Sequence, residues 1–230
     1  MENQTRRPLV ICFGDSLTMG YRVTDGLSVG SDVPYGGFLQ KWMEGRGQVV
    51  VSGLCGELTA DMVKRFARDV VNLKPDYTVI LGGTNDLGWG IVPSVIVQNL
   101  TRMYHQAFEA RIQPVGVTVP SIRPEEPLSA PGVSGISDGP LPEWVQSHIS
   151  SRLLLNRLIE AACFAQKIPC VDLFSETAEG PHHFLAASFS SDGLHLSREG
   201  YERFAKIVWE QVFAAQFGGC GATQGKPRPS

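Results

Sequence analysis

The feature that most constrains the fold is a series of short apolar segments, rich in β-branched residues, that recur along the chain. The five segments are residues 9–13 (LVICF), 48–52 (QVVVS), 77–81 (YTVIL), 114–119 (PVGVTV) and 169–173 (PCVDL). Continuous runs of this length are typical of parallel strands that are buried on both faces. They therefore predict the strands of one parallel sheet.

Segments with helical periodicity separate these predicted strands. The predicted helices are residues 58–73, 94–110, 143–166 and a last one for which Ser197 is the candidate N-cap. Strands that alternate with helices indicate an α/β domain with a parallel sheet. We expect a single domain over residues 1–217, followed by a disordered Gly- and Pro-rich tail at 218–230.

Charge and composition exclude several classes of function. The 230 residues carry 20 basic and 23 acidic side chains without a long run of one sign, which gives no electrostatic case for a nucleic-acid partner. No segment approaches the ~20 apolar residues of a membrane span. The first apolar run, 9–13, is shorter than the roughly 7–15 residues of a secretory core. We expect a cytoplasmic protein, with a removed leader as the open alternative.

The cysteines and histidines do not predict a structural metal site or a disulfide framework. There are five cysteines, an odd number without regular spacing, and no Cys/His cluster of the kind that binds zinc. The sequence therefore gives no reason to expect a metal.

Ligands of parallel α/β sheets bind beyond the carboxyl ends of the strands, so the residues that follow the predicted strands are the first candidates for a site. Ser16 follows the first strand through Gly14 and Asp15, on a tight turn that would present its hydroxyl at the sheet edge. The alternative interpretation is a helix cap formed by Asp15 and Ser16.

A base for this serine is present near the end of the chain. A serine hydroxyl is a poor nucleophile until a base removes its proton, and imidazole suits that task. His195 lies in the segment SDGLH at 191–195, and Asp192 precedes it by the three residues that can bring a carboxylate to Nδ1. An exposed turn is the alternative interpretation of this segment. Asp15 is a second possible carboxylate partner, but its position beside Ser16 favours a capping role, and we prefer Asp192.

Two further segments carry candidate oxyanion donors. Asn85 lies in GGTND at 82–86, where the glycines permit close backbone approach to a ligand, and Gly56 lies in CGELT at 55–59. Each segment also has the composition of an ordinary turn. Trp89, which stands between two glycines, is a candidate for lining the substrate pocket, with packing as the equal alternative.

Taken in order, these motifs resemble the GDSL, or SGNH, hydrolase family. FGDSL at 13–17 matches the family's first block, with Ser16 as nucleophile, and GGTND matches its third block, with Asn85 as an oxyanion donor. DGLH at 192–195 matches the fifth block, which supplies the acid Asp192 and the base His195. Gly56 falls where the second block has its oxyanion glycine.

The second block is the main departure from the family pattern. Here the block reads Cys-Gly-Glu-Leu-Thr at 55–59, where Gly-Asp-Thr or Gly-Ala-Thr is more usual, and Gly53 lies nearby. The assignment of Gly56 is therefore weaker than the assignments of the other blocks.

The resemblance implies a flavodoxin-like three-layer α/β/α sandwich around a central five-stranded parallel sheet. It also implies a serine carboxylester hydrolase that works without metal or cofactor, with an oxyanion hole formed by Ser16, Gly56 and Asn85. We expect a small-molecule partner, a short-chain or aryl ester. The alternatives are an acetylxylan-type carbohydrate deacetylase, a lysophospholipase or a thioesterase.

Two interpretations of other classes stand beside this one. One is a non-catalytic ligand-binding domain on the same fold, which the presence of nucleophile, base, acid and oxyanion donors argues against. The other is a nucleotide- or flavin-binding protein, which lacks support because neither GxGxxG nor GxxxxGK[ST] is present. Nothing in the sequence marks an oligomeric interface, and the long loop 120–142 is a candidate lid.

Overall fold

The computed structural model describes residues 6–24, 27–29, 34–124 and 141–217. The strands within these ranges are β1 (Leu9–Gly14), β2 (Arg22–Thr24), β3 (Leu27–Val29), β4 (Gln48–Gly53), β5 (Tyr77–Leu81), β6 (Gln113–Val117), β7 (Cys170–Val171), β8 (Ala178–Glu179) and β9 (Phe184–Leu185). The α-helices are α1 (Ser16–Met19), α2 (Tyr35–Trp42), α3 (Thr59–Asp69), α4 (Thr84–Gly88), α5 (Pro93–Glu109), α6 (Glu143–Gln166), α7 (Leu173–Thr177), α8 (Arg198–Val208) and α9 (Ala214–Phe217). Short 3₁₀ segments occupy Val71–Leu73 and Ala187–Phe189, and Trp209–Phe213 is π-helical.

Five parallel strands form the central sheet in the order β4-β1-β5-β6-β7. This is the flavodoxin-like order, in which the chain moves outward in one direction from β1 and then returns to build the other side. Helices α3, α5 and α6 pack side by side, and α2 packs with α8. Right-handed crossovers put these two groups on opposite faces of the sheet. The predicted fold class is confirmed.

The strand order also determines where a ligand site belongs. The direction of winding reverses between β1 and β5, and ligands of doubly wound sheets bind in the crevice at the carboxyl ends of the strands beside such a point. The chain leaves β1 into Ser16 and leaves β5 into the segment that contains Asn85. Both candidate residues therefore lie at the crevice.

Both faces of the central strands are covered, which explains their continuous apolar sequences. Every residue from Val10 to Phe13 is fully buried, and so are Val79, Ile80 and Leu81. At about 25 cal/mol per Å² of apolar surface, each such side chain contributes about 1.5–3 kcal/mol to folding.

Two predicted strands are longer than the observed ones. β6 ends at Val117 instead of continuing to residue 119, because the Asn156 side chain on α6 bonds both the N–H (2.8 Å) and the carbonyl (3.0 Å) of Val119. β7 contains only Cys170 and Val171, because the side chain of Asp172 accepts the Ser175 N–H at 3.0 Å and so caps α7.

The predicted helices are close to the observed ones, with α2 the one omission among the described helices of eight or more residues. The span 143–166 coincides with α6, and the span 58–73 divides after Asp69 into α3 and a 3₁₀ turn. Ser197 caps α8 by accepting the Gly200 N–H at 3.2 Å. The sequence analysis missed α2, which no side chain caps; its buried Tyr35 stacks on Phe204 with ring centroids 3.8 Å apart, so tertiary packing holds this helix.

Two expectations concern residues outside the described ranges: most of the proposed lid, at 125–140, and the tail 218–230. Among the helices that the structure describes, none combines the length and the apolar character that crossing a bilayer would require.

Candidate active site

The turn between β1 and α1 places Ser16 at the carboxyl edge of the sheet. Asp15 caps α1, since its Oδ1 accepts the Leu17 N–H at 2.9 Å and its carbonyl accepts the N–H groups of Thr18 and Met19. Gly14 allows this turn to lie against the neighbouring strand, because a Cβ there would come within 2.2 Å of the Leu81 carbonyl oxygen. Ser16 itself is only 6% exposed.

The loop before α8 brings Asp192 and His195 together. Asp192 Oδ1 accepts the backbone N–H groups of His195 (2.6 Å) and Leu194 (3.0 Å), while its Oδ2 lies 2.7 Å from Nδ1 of the His195 ring. One carboxylate thus shapes the turn and orients the imidazole. His195 Nε2 lies 3.1 Å from Ser16 Oγ, although the two residues are 179 positions apart in the chain. The structure therefore joins Ser16, His195 and Asp192 in one chain of hydrogen bonds.

The electrostatics of the Asp192 carboxylate favour its ionised form. Burial acts to raise its pKa, but the hydrogen bonds from the His195 ring and from the two backbone N–H groups outweigh that effect. The pKa of Asp192 consequently lies below its ordinary value. An ionised carboxylate at Nδ1 stabilises a positive charge on the imidazole.

The two predicted oxyanion segments are bonded to each other. Asn85, the second residue of α4, donates from Nδ2 to the Glu57 carbonyl at 3.0 Å, and the same nitrogen lies 3.4 Å from Asp15 Oδ2. Glu57 follows Gly56, whose positive φ of 73° suits glycine in an exposed turn. Gly53, the neighbouring alternative, pairs with Gly14 in the sheet, and a Cβ there would meet the backbone of Asp15 and Met19.

A buried ion pair beneath this turn was not anticipated from the sequence. The Arg65 guanidinium bonds both carboxylate oxygens of Glu57 through Nε and also donates to Ser52 Oγ (2.8 Å), Asp69 (2.9 Å) and the Gly14 carbonyl (2.9 Å). The side chains of Arg65 and Glu57 are only 6% and 8% exposed. The i,i+4 spacing of Arg65 and Asp69 could have predicted an ion pair on one helix, whereas the pair of Arg65 with Glu57 depends on the tertiary fold.

A second buried carboxylate connects the same two segments. Asp86 is fully buried, and it accepts the Thr59 hydroxyl at 2.6 Å and the Thr59 N–H at 3.0 Å. The side chain of Asn99 completes the group by donating to the Thr59 hydroxyl at 3.1 Å. Hydrogen bonds therefore join the segment after β4 to the segment after β5.

The carboxyl group of Asp15, next to Ser16 after β1, has an unusual pKa. It is fully buried, and burial raises its pKa from 3.8 to about 7, despite the hydrogen bond from Leu17 and the nearby imidazole of His195, which both lower it. Its Oδ2 accepts a hydrogen bond from the Asn85 amide at 3.4 Å, and His195 bonds Asp192 instead. The carboxylate that contacts the imidazole is thus the one the sequence analysis preferred.

Trp89 directly follows α4 as its C-cap and is 79% exposed. Its N–H bonds the Asn85 carbonyl at 3.0 Å, so its ring lies one turn from that residue, on the surface. Across the described part of the chain, the structure contains no group of three His, Cys, Asp or Glu side chains that could hold a metal ion.

A buried serine joined through an imidazole to an ionised carboxylate, at the switch point of a flavodoxin-like sheet, defines the class of serine hydrolases. The model of the GDSL-like lipase/acylhydrolase family matches residues 12–203. The protein belongs to this family and is a carboxylic ester hydrolase.

Solved structures resemble this chain across nearly its whole length. A GDSL-like lipase from Bacteroides thetaiotaomicron superposes with a TM-score of 0.69 at 21% identity and covers 90% of this chain and 89% of its own. The aryl esterase of M. smegmatis gives 0.69 at 21% identity, over 89% and 98% of the two chains. The carbohydrate acetylesterase Est24 from Sinorhizobium meliloti gives 0.67 at 19% identity, over 91% and 100%. No curated protein matches the sequence.

Proposed function

We propose that the protein hydrolyses short-chain or aryl carboxylic esters through an acyl-enzyme on Ser16. The observation that carries this proposal is the connected geometry of Ser16, His195 and Asp192, with 3.1 Å between Oγ and Nε2 and 2.7 Å between Nδ1 and Oδ2. Both distances suit proton transfer through hydrogen bonds.

In the first step, His195 Nε2 accepts the proton of Ser16 as Oγ attacks the ester carbonyl carbon. The imidazolium that forms is stabilised by the ionised Asp192 carboxylate at Nδ1. His195 then donates its proton to the leaving alcohol, and the acyl group stays on Oγ. Water, deprotonated by His195, attacks the acyl-enzyme, releases the carboxylic acid and restores the serine hydroxyl.

The oxyanion of the tetrahedral intermediate needs donors at the same edge of the sheet. Asp15 accepts hydrogen bonds from the N–H groups of Leu17, Thr18 and Met19. The Ser16 N–H is the remaining donor of this turn, and we assign it to the oxyanion. The Asn85 amide has two hydrogens: the Glu57 carbonyl accepts one at 3.0 Å, and the other faces Asp15 Oδ2 at 3.4 Å, a long and weak contact that the oxyanion would replace. The Gly56 N–H is the third donor, on the turn that Asn85 holds through Glu57.

The preference for apolar acyl or aryl groups is supported by the exposed apolar side chains beside this site. Trp89 is 79% exposed and Leu54 is 48% exposed. Leu54 accepts the Glu57 N–H at 3.4 Å through its carbonyl, and Trp89 bonds the Asn85 carbonyl, so both lie next to the Asn85–Glu57 contact. The aryl esterase among the similar structures agrees with this preference, while the carbohydrate acetylesterase favours deacetylation of a sugar as the second candidate.

A fluorophosphonate probe tests the mechanism, because it reacts only with an activated serine. Wild-type protein should be labelled, Ser16→Ala should lose the label, and Ser94→Ala, which removes an exposed serine on α5, should keep it. Labelling that persists in Ser16→Ala would refute the assignment of the nucleophile. Asn85→Ala should lower kcat about 10²–10³-fold, the usual cost of one oxyanion donor.

A substrate panel tests the acyl and alcohol preferences. We expect hydrolysis of 4-nitrophenyl acetate and butyrate to exceed that of the palmitate, and to exceed deacetylation of acetylated xylan. Trp89→Ala should raise KM for the aryl esters about tenfold with little change in kcat. Trp144→Ala, which removes another exposed tryptophan, is the matched control. Faster deacetylation of xylan would favour the carbohydrate esterase instead.

A further inference from the structure

The hydrogen bonds of the His195 imidazole leave part of its motion unrestrained. Nδ1 bonds Asp192 and Nε2 bonds Ser16, at 2.7 and 3.1 Å. A ring nitrogen of imidazole forms hydrogen bonds along a direction in the ring plane, so such bonds resist tilt and displacement perpendicular to that plane only weakly. A group packed against the ring would restrict that motion.

Tyr21 provides such a contact. Its ring centroid lies 4.7 Å from that of His195, with an angle of 61° between the ring planes. This is an edge-to-face arrangement, one of the two geometries that aromatic pairs prefer. The contact adds a third restraint on the imidazole, beside the hydrogen bonds to Asp192 and Ser16.

The backbone of Tyr21 is fixed on both sides. Its N–H donates to the carbonyl of Ser16 at 3.0 Å, and its own carbonyl accepts the Tyr201 hydroxyl at 2.6 Å. Tyr201 is fully buried in α8, the helix that follows His195. Tyr21 is therefore tied to the nucleophile's own residue and to the helix beside the base.

The strand that follows Tyr21 also holds the loop that carries His195. In β2, the Val23 N–H donates to Ser191 Oγ at 3.4 Å. Ser191 in turn donates to the His195 carbonyl from both its N–H (2.9 Å) and its hydroxyl (3.1 Å). The backbone and the ring of His195 are thus both supported by the segment 21–23.

We propose that Tyr21 is a positioning residue for ester hydrolysis, whose ring keeps the His195 imidazole in the orientation that faces Ser16 Oγ. The inference rests on the proposed function, because it assigns Tyr21 a role only through the base. It requires the aromatic ring and not the phenolic hydroxyl.

Three variants at this position test the proposal. Tyr21→Leu and Tyr21→Met remove the ring and should lower kcat for 4-nitrophenyl acetate about tenfold, with KM changed less than twofold. Tyr21→Phe keeps the ring and should restore kcat to within twofold of wild type. The rate of fluorophosphonate labelling, which needs an activated serine but no bound ester, should follow kcat in all three. Unfolding midpoints establish that each variant is folded. If Tyr21→Leu does not fold, Tyr21→Met alone is compared with Tyr21→Phe.

A tyrosine at the opposite edge of the sheet provides the matched control. The ring of Tyr77 makes a similar edge-to-face contact with Phe213, at a centroid distance of 5.3 Å, and Tyr77→Leu should leave kcat unchanged. Two results would overturn the inference and leave the proposed function intact: a wild-type kcat in Tyr21→Leu, or a loss of kcat in Tyr21→Phe as large as that in Tyr21→Leu. Wild-type protein that neither hydrolyses esters nor reacts with the fluorophosphonate would overturn both.

Discussion

Replacing Arg65 by methionine tests whether the buried ion pair beneath the turn of Gly56 stabilises the fold. The substitution leaves the Glu57 carboxylate, only 8% exposed, without its cation, and removes the donors to Ser52 Oγ and the Gly14 carbonyl. Breaking one partner of a buried pair costs about 3–5 kcal/mol, since the remaining charge stays desolvated. That is a large part of the roughly 5–15 kcal/mol that stabilises a typical domain.

The guanidinium of Arg65 also lies 4.0 Å from the centroid of the Phe13 ring, so the loss should fall at the upper end of that range. Urea denaturation followed by circular dichroism measures the change in the free energy of unfolding. Arg68→Met is the matched control. Arg68 lies three residues after Arg65 on α3 and pairs with the same Asp69, but its side chain is 72% exposed. We expect the control to unfold near the wild-type midpoint. Equal midpoints for the two variants would refute the assigned energetic role.

Three further changes test other parts of the structure. Asp15→Asn should become more stable relative to wild type as the pH rises from about 4 to 7, by up to about 4 kcal/mol, because a carboxyl whose folded pKa is raised to about 7 favours the folded state only while it is protonated. Urea midpoints at pH 5 and pH 8 measure this, and a constant difference would contradict it. Arg152→Met should keep or raise stability, by up to about 4 kcal/mol, since the three guanidinium nitrogens are fully buried and have no hydrogen-bond partner among the residues that the structure describes; exposed Arg157→Met is its control, and a marked loss of stability specific to Arg152→Met would show that the guanidinium stabilises the fold. Gly14→Ala should cost about 3 kcal/mol or more through the 2.2 Å clash with the Leu81 carbonyl, whereas Gly88→Ala, with open space at its Cβ, should be tolerated; equal thermal midpoints would refute the steric argument.

The sequence was sufficient to predict the sheet and the residues at its carboxyl edge. Segments buried on both faces must be continuously apolar, and parallel strands bring their carboxyl ends to one edge. For that reason Ser16 and Asn85, each following a strand, could be placed at one site before the structure was known. The turn of Asp192 and His195 was readable because the spacing of three residues is local.

The contacts that support the site could not be read in the same way. The Arg65–Glu57 pair and the Tyr21–His195 ring contact depend on how separate elements pack, and neither leaves a periodic pattern in the sequence. Helix α2 was missed because its first turn contains two glycines and no capping side chain, so tertiary contacts outweigh its weak intrinsic propensity. The short β7 shows the same effect at a strand end, where one aspartate cap decides the boundary.

The hydrogen bond between Ser16 and His195 closes a loop of 179 positions. During synthesis, the nucleophile and both oxyanion segments leave the ribosome well before the base does. Because closing long loops and forming non-local contacts are the slow, entropically costly parts of folding, reactive serine should appear only after α8 docks. Fluorophosphonate reactivity can therefore serve as a clock for the final stage of folding, reporting the moment at which the two ends of the domain meet.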